Sequence, residues 1–275
     1  MATDIEFQGS VASTNDIATD KARGGAPHGW AVVASEQTEG RGRRGNAWSS
    51  QAGGLYLSVV LRPSVPMGFF VALRAVVSMG VFDALRALGL GGRVGIKWPN
   101  DVVASAGEGA PFDRKLAGIL VEARSSAEGA FAVAGIGLNV APVAENNLHT
   151  AVSAGRSAAG PPLAPISLGE LLPSQREPNR ELACAIRDAV VARVDAWGAA
   201  ISARAAAGPL APVLSEYFDM LPMMGRDVAV VAPEGHVVDT GILSGVDAWG
   251  RAIVRTPSGE EKALVAEAAS LREVL

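Results

Sequence analysis

The 275-residue sequence predicts a mixed α/β (α+β) fold followed by a small β-barrel. Three observations point there. Short β-rich runs are interleaved with two segments whose apolar residues recur at steps of three and four. Past residue 222 the texture changes to brief β runs separated by turn clusters. The composition, 49% hydrophobic and 19% charged, is that of a globular chain able to bury a real core.

The elements follow in order. Ser13-Thr14-Asn15-Asp16 ahead of Ile17-Ala18 reads as a helix start, with Ser13 as N-cap and Asp16 at N3. The dozen residues before it are too few for a domain. Residues 30–35 (WAVVAS) read as a strand, 39–50 as a Gly- and Arg-rich loop, and 55–61 (LYLSVVL) as a second strand. From Phe70, the stripe Leu73, Val77, Val81, Leu85 and Leu88 marks a core-facing helix that ends at residues 89–92. Residues 93–97 (RVGIK) form a strand that stops at Trp98-Pro99-Asn100-Asp101, since proline cannot continue a central ladder. Residues 116–122 and 131–140 look like paired strands. Residues 141–179 are rich in Pro, Gly and Ser. Leu182, Ile186, Val190, Val194, Trp197 and Ile201 then repeat the helical stripe. Four short strands (DVAVVA, HVVDTGILSGV, RAIV, KALV) complete the chain at barrel-like spacing. The boundary falls near residue 222, giving units 1–222 and 223–275.

Several function classes are disfavoured. A net charge of −4 suits poorly a protein held to DNA by counterion release. The one cysteine, Cys184, excludes an intramolecular disulfide framework and a cysteine zinc site. His28, His149 and His236 are too scattered for metal-ligand spacing. The apolar stretch 69–90 is interrupted by Arg74, Asp83 and Arg86, unlike a membrane span. The first residues lack a basic signal region. The expected location is the cytoplasm, with no membrane partner.

Gly40-Arg41-Gly42-Arg43-Arg44-Gly45 spells the dinucleotide fingerprint in the wrong setting. That fingerprint opens a helix at its last glycine, whereas this loop leads into a strand. Glycines that bring the backbone close, joined to arginine forks, suit a phosphate-bearing ligand; a solvated basic loop is the other reading. Lys97-Trp98-Pro99-Asn100-Asp101 sets a cation and a carboxylate at a strand end, or is a plain Asn-Asp turn. Lys115 is either a site cation or a lysine snorkelling at a strand edge. Gly135-Ile136-Gly137-Leu138-Asn139 alternates small and branched residues, as a tightly packed strand does.

Taken together and in order, STND, QTEGRGRRGNAW, GGLYLSV, KWPNDV, RKLAGILVE and GIGLNV resemble the biotin protein ligases, strongly over residues 10–142. The resemblance implies a mixed-sheet catalytic domain of the biotin/lipoate ligase type with an SH3-like C-terminal barrel. It implies activation of biotin with MgATP to biotinyl-5′-AMP and transfer to one lysine of a biotin carboxyl carrier protein. Biotin, ATP and Mg²⁺ enter as substrates, with no tightly bound prosthetic group. Ser13, Thr14, Asn15 and Gln37 resemble the residues that hold the biotin head group. Gly40, Arg41 and Arg43 resemble the loop that closes over the carboxylate and phosphates; the glycine density and like charge of residues 40–45 suggest a loop that orders on ligand binding. Trp48 resembles the adenine-packing aromatic and Asn139 an adenine contact. Lys115 resembles the lysine at the reacting groups. Gly118, Leu120 and Gly137 resemble the biotin walls. Lys97 and Asn100 fall among the nucleotide contacts, and Asp101 is the candidate for Mg²⁺. Catalysis is thus expected to rest on Arg41, Arg43, Lys97 and Lys115.

Two departures stand out. Residues 104–113 are longer than the family's turn. Only about a dozen residues precede STN, which leaves no room for a DNA-binding domain, so no DNA partner is expected; a homodimer is left open. The alternative within the fold is a lipoate or octanoyl transferase. Outside it stand a nucleic-acid-binding module and a biotin sensor without turnover.

Overall fold

The computed structural model describes residues 5–142, 163–175, 177–203 and 207–274. Its elements are β1 (Ile5–Val11), α1 (Thr14–Arg23), β2 (Ala31–Gln37), β3 (Gly54–Leu61), α2 (Leu73–Leu85), β4 (Val94–Lys97), β5 (Asp101–Ala104), β6 (Arg114–Ser126) and β7 (Gly129–Asn139). There follow β8 (Ala164–Pro165), α3 (Leu168–Leu171), α4 (Arg180–Ala203) and α5 (Leu214–Asp219). The last strands are β9 (Asp227–Val231), β10 (Val237–Val246), β11 (Ala252–Arg255), β12 (Glu261–Leu264) and β13 (Ser270–Glu273). The first seven strands form one sheet in the order β1-β2-β3-β7-β6-β5-β4, with β8 beside β6. β1 and β2 run parallel, as do β6 and β8; the other pairs are antiparallel.

Successive side chains on a strand point to opposite faces, and here the faces have different partners. Leu57 and Val59 of β3, Ile119 of β6 and Ile136 of β7 pack with α2 and α4 in the main core. Val60 of β3 and Val133 of β7 point the other way, where Ala18 and Ala22 of α1 cover them. Farther along that second face the strands carry Ser58, Gly118, Gly135 and Gly137, and the site develops there.

The stripe that starts at Phe70 becomes a 3₁₀ turn (Met67–Ala72), then α2, then a widened π turn (Arg86–Leu90). The segment Met67–Leu90 is long and apolar enough to cross a membrane, but 72% of its most apolar window is buried in the protein, which makes it a core helix. A Cβ at Gly80 would sit 2.7 Å from the Val190 Cα, so this glycine sets how closely α2 and α4 approach.

Six short elements escape the sequence reading: β1, β5, β8, α3, α5 and β13. β1 is an edge strand with mostly exposed residues, so no apolar alternation announces it. β5 was hidden by the expectation that the chain leaves the sheet at Pro99. Instead residues 98–100 turn so tightly, with a cis Trp98–Pro99 peptide, that Lys97 and Asp101 become paired strand residues. The C-terminal unit has five strands, not four, in one antiparallel sheet ordered β12-β11-β10-β9-β13. Buried side chains continue from the main sheet across residue 222: Met220, Leu221, Met223, Val228 and Leu243 belong to the main core. Much of the Pro- and Ser-rich stretch 141–179 lies outside the described residues.

Candidate active site

A cavity of about 240 Å³ opens between the start of α1, the loop after β2, and the second face of β6 and β7. Its polar end is a chain of hydrogen bonds. The Thr14 backbone N–H and Oγ1 each donate to Gln37 Oε1 at 2.9 Å, and Gln37 Nε2 donates to Ser50 Oγ at 2.8 Å. Ser58 Oγ lies 2.8 Å from Thr14 Oγ1 and 2.6 Å from Asn15 Oδ1. Asn15 Nδ2 donates to Glu122 at 2.9 Å. Ser13 occupies the N-cap position of α1, yet its hydroxyl makes no capping bond. It faces the cavity, and Asp16 is turned to Arg41, so the capping box expected from STND does not form.

The floor is glycine. Gly118 and Gly137 are register partners across β6 and β7, and the Trp48 indole lies on both. A Cβ at Gly118 would be 2.6 Å from Trp48 Cζ3, and one at Gly137 would be 2.4 Å from its Nε1. That buried Nε1 has no hydrogen-bond partner among the described residues. The aromatic expected at adenine and the glycines expected at biotin therefore meet at one spot. The alternation G-I-G-L-N is a slot for side chains that approach from above, more than a close-packed strand.

The cations converge on this cavity, each already engaged. Arg41 grips Asp16 with both terminal nitrogens, at 2.8 and 2.5 Å, and this bond holds the Asp16 carboxyl below its usual range. Such a bidentate fork is the geometry a carboxylate or phosphate ligand would offer. Arg43 donates to Asn100 Oδ1 at 3.1 Å and to the Ala266 carbonyl; Arg44 donates to that carbonyl at 2.9 Å. Burial, reinforced by Arg44 and Arg74, lowers Arg43 to about 10, which leaves it charged at neutral pH. Lys115 Nζ sits 2.8 Å from Asp101 Oδ1 and 5.0 Å from the Trp48 ring centre. Burial works to raise the Asp101 carboxyl, but Lys115, Lys97 and Arg43 outweigh it and hold it low. Burial also pulls Lys97 below an ordinary lysine. The longer loop 104–113 leaves the Asp101–Lys115 pair intact.

Arg41, Arg43, Trp48, Asn100, Asp101, Lys115, Gly118, Leu120 and Gly137 line the cavity together with Ser13, Thr14, Asn15 and Gln37. Gly40, Lys97 and Asn139 stand behind it. A Cβ at Gly40 would meet Ser50 Oγ at 2.3 Å and the Trp48 carbonyl at 2.6 Å, so its contribution is a close backbone crossing. Asn139 Nδ2 donates to the Lys115 and Ile166 carbonyls at 3.1 and 3.3 Å and ties β7 to the segment beyond it. Asp101 is paired with a lysine, and among the described residues no three His, Cys, Asp or Glu side chains gather to hold a metal.

Sequence reasoning missed Asp16, Arg44, Ser50, Ser58 and Glu122. Asp16 and Arg44 lie inside motifs already noted. Ser58 and Glu122 also lie inside quoted motifs, but nothing in them singles out the serine or the glutamate, and Ser50 only ends the arginine loop. The arginine loop is also more structured than its glycines suggest: Gln37 bridges to Ser50 and Arg41 to Ala47, and Arg44 turns the tip at φ 57°.

Residues 8–139 match the Biotin/lipoate A/B protein ligase family. The biotin–[acetyl-CoA-carboxylase] ligase of Paracoccus denitrificans is 32% identical over 260 residues, covering 93% of this chain and 95% of that protein. The chain belongs to the biotin protein ligase family. Another relative of this ligase, the bifunctional ligase/repressor BirA of Escherichia coli (strain K12), is 39% identical over 133 residues, 48% of this chain and 39% of its own length. In fold, the ligase is similar to the biotin protein ligase from Aquifex aeolicus solved in complex with biotin and ATP. The TM-score is 0.72 at 22% identity, covering 98% of this chain and 99% of that one.

Proposed function

We infer that this chain is an ATP-dependent biotin protein ligase. It joins the carboxylate of biotin to the α-phosphate of ATP, releases pyrophosphate, and passes the activated biotin to a lysine of a carboxyl carrier protein. The observation that carries this reading is the convergence of Arg41, Arg43 and Lys115 on one cavity whose far end is lined by hydroxyls and amides.

The first step brings two anions together and expels a third. In it a carboxylate oxygen forms a bond to the α-phosphorus while the bond to the pyrophosphate oxygen breaks. Such a barrier is electrostatic and positional, so fixed cations serve it better than a nucleophile. Arg41 exchanges Asp16 for the ligand's anionic groups. Lys115, presented by β6 beside Trp48, balances charge at the reacting carboxylate and α-phosphate. Arg43 and Arg44, anchored on the Ala266 carbonyl, hold the loop as a lid that excludes water from a hydrolysable mixed anhydride. In the second step a lysine amine attacks the acyl carbon, its proton passes to solvent, and AMP leaves.

Magnesium enters as the counterion of ATP. The head-group wall is Ser13, Thr14, Asn15 and Gln37; the nucleotide side is Trp48, Asn100 and Lys97. A carrier domain as acceptor and a cytoplasmic location complete the reading, the latter supported by a single cysteine among 275 residues.

The test is incubation of the purified protein with biotin and α-labelled MgATP, followed by addition of a carrier domain. Biotinyl-AMP and pyrophosphate in equal amounts, then label on one carrier lysine, are expected. Adenylate formed from lipoate in place of biotin would move the chain to the lipoate branch of the family. No acyl-adenylate from either acid overturns the reading.

A further inference from the structure

The polar end of the cavity has an order that one outlying residue imposes. Asn15 is buried, with both halves of its amide engaged. Nδ2 donates to Glu122 Oε2 at 2.9 Å, while Oδ1 lies 2.6 Å from Ser58 Oγ. Oδ1 also presses on Gly135, where any Cβ would come within 2.2 Å of it. An ionised carboxylate only accepts hydrogen bonds, so the amide half that faces Glu122 must be the NH₂. Glu122 is itself steadied by Arg124, whose Nη2 is 3.0 Å from the other carboxylate oxygen. Neither residue lines the cavity.

We propose that Glu122 is a positioning residue for head-group recognition, acting through Asn15. With Oδ1 fixed as an acceptor, the single Ser58 proton is drawn to Asn15. The Asn15 amide and the Ser58 hydroxyl then each have one assignment. That matters for a ureido ring, in which a carbonyl is flanked by two N–H groups: a wall of reversed polarity would set donor against donor. Without Glu122 the Asn15 amide could rotate by 180° and the order would be lost. This inference rests on the biotin ligase reading and names a residue outside its cavity that sets its specificity.

The test is steady-state adenylate formation. Glu122→Leu is expected to raise KM for biotin about 10- to 100-fold, the effect of losing a hydrogen bond to a charged group, while kcat and KM for ATP stay within about twofold. Glu122→Gln can still accept from Asn15 through its carbonyl, at the cost of setting its NH₂ against Arg124, and is expected to keep more of the affinity than Glu122→Leu. Polarity itself is read from Asn15→Asp, which sets two carboxylates face to face and should lose biotin affinity. The double variant N15D/E122Q restores a donor between them and should recover it. A wild-type KM for biotin in Glu122→Leu, or a double variant no better than Asn15→Asp alone, overturns the proposal. So does a joint shift of kcat and both KM values with a lowered melting temperature, the mark of a merely structural residue. Should Glu122→Leu fail to fold, the Asn15→Asp pair decides alone. Turnover by the wild type reports on the ligase reading and the variants on Glu122, so the two fail separately.

Discussion

The two faces of strands β3, β6 and β7 are built by alternate residues of the same three segments, yet they do opposite things. Toward α2 and α4 the strands present Leu57, Val59, Ile119 and Ile136, all nearly or fully buried in one apolar cluster. Toward α1 and the arginine loop they present Ser58, Gly118, Glu122, Gly135 and Gly137. There the bulk is supplied from outside the sheet, by Trp48 and Asn15. Parity along a strand therefore separates stability from recognition. Residues one position apart differ in what they support.

The largest effect expected from that contrast is on the second face. Lys115→Met should cut adenylate formation about 10²- to 10³-fold, the usual cost of one well-placed electrostatic group, with a lesser drop in melting temperature as the buried Asp101 loses its partner at 2.8 Å. Pyrophosphate release and calorimetry measure the two; a normal rate would remove Lys115 from the chemistry.

Next comes the first face. Leu57→Ala should destabilise the fold by about 2–5 kcal/mol in denaturant unfolding, with turnover per folded molecule unchanged. A selective loss of biotin affinity there would break the division.

The two glycine positions sharpen it further. Gly80→Ala drives a methyl into the α4 backbone and should cost about 1–3 kcal/mol of stability with normal affinity. Gly137→Ala pushes into the Trp48 indole and should do the reverse. Its tryptophan fluorescence shifts and biotin affinity falls, with a smaller loss of stability.

The smallest effect concerns His28. Its Nδ1 accepts from the Arg62 backbone N–H at 2.8 Å, and its Nε2 lies 3.1 Å from Asp195 of α4. Burial holds the ring below the ordinary histidine value, against the pull of Asp195. The neutral ring therefore favours the folded state. Its contribution is complete above the unfolded pKa of about 6.5 and is lost as pH falls through the folded value. The melting temperature should decline between pH 7.5 and 5.5, and His28→Gln should flatten that decline.

The sequence showed its long elements well because periodicity is local. α2, α4, β3, β6 and β7 carry their own apolar stripes or β-rich runs. It showed β1 and β5 poorly, since an exposed edge strand has no alternation, and a turn as tight as 98–100 leaves too few residues to mark it. Among site residues, the arginine loop, Lys97, Lys115 and the residues around Asn15 stand inside compact motifs and could be picked out. Ser58 and Glu122 lie in the quoted runs GGLYLSV and RKLAGILVE yet could not be singled out, because a serine or glutamate in a strand has the same local pattern whether it faces water or an asparagine.

The sequence by itself determined which segments fold, their face preferences, and the store of cations and small residues from which a site could be made. Only the tertiary structure decided who meets whom. Trp48 comes to rest on glycines 70 and 89 residues away, and Arg43 reaches Ala266, 223 residues on. The reason is physical. Helical and strand periods follow from backbone geometry within a few residues, whereas a site forms where chain closure brings distant side chains within hydrogen-bonding range, and no local pattern records that distance.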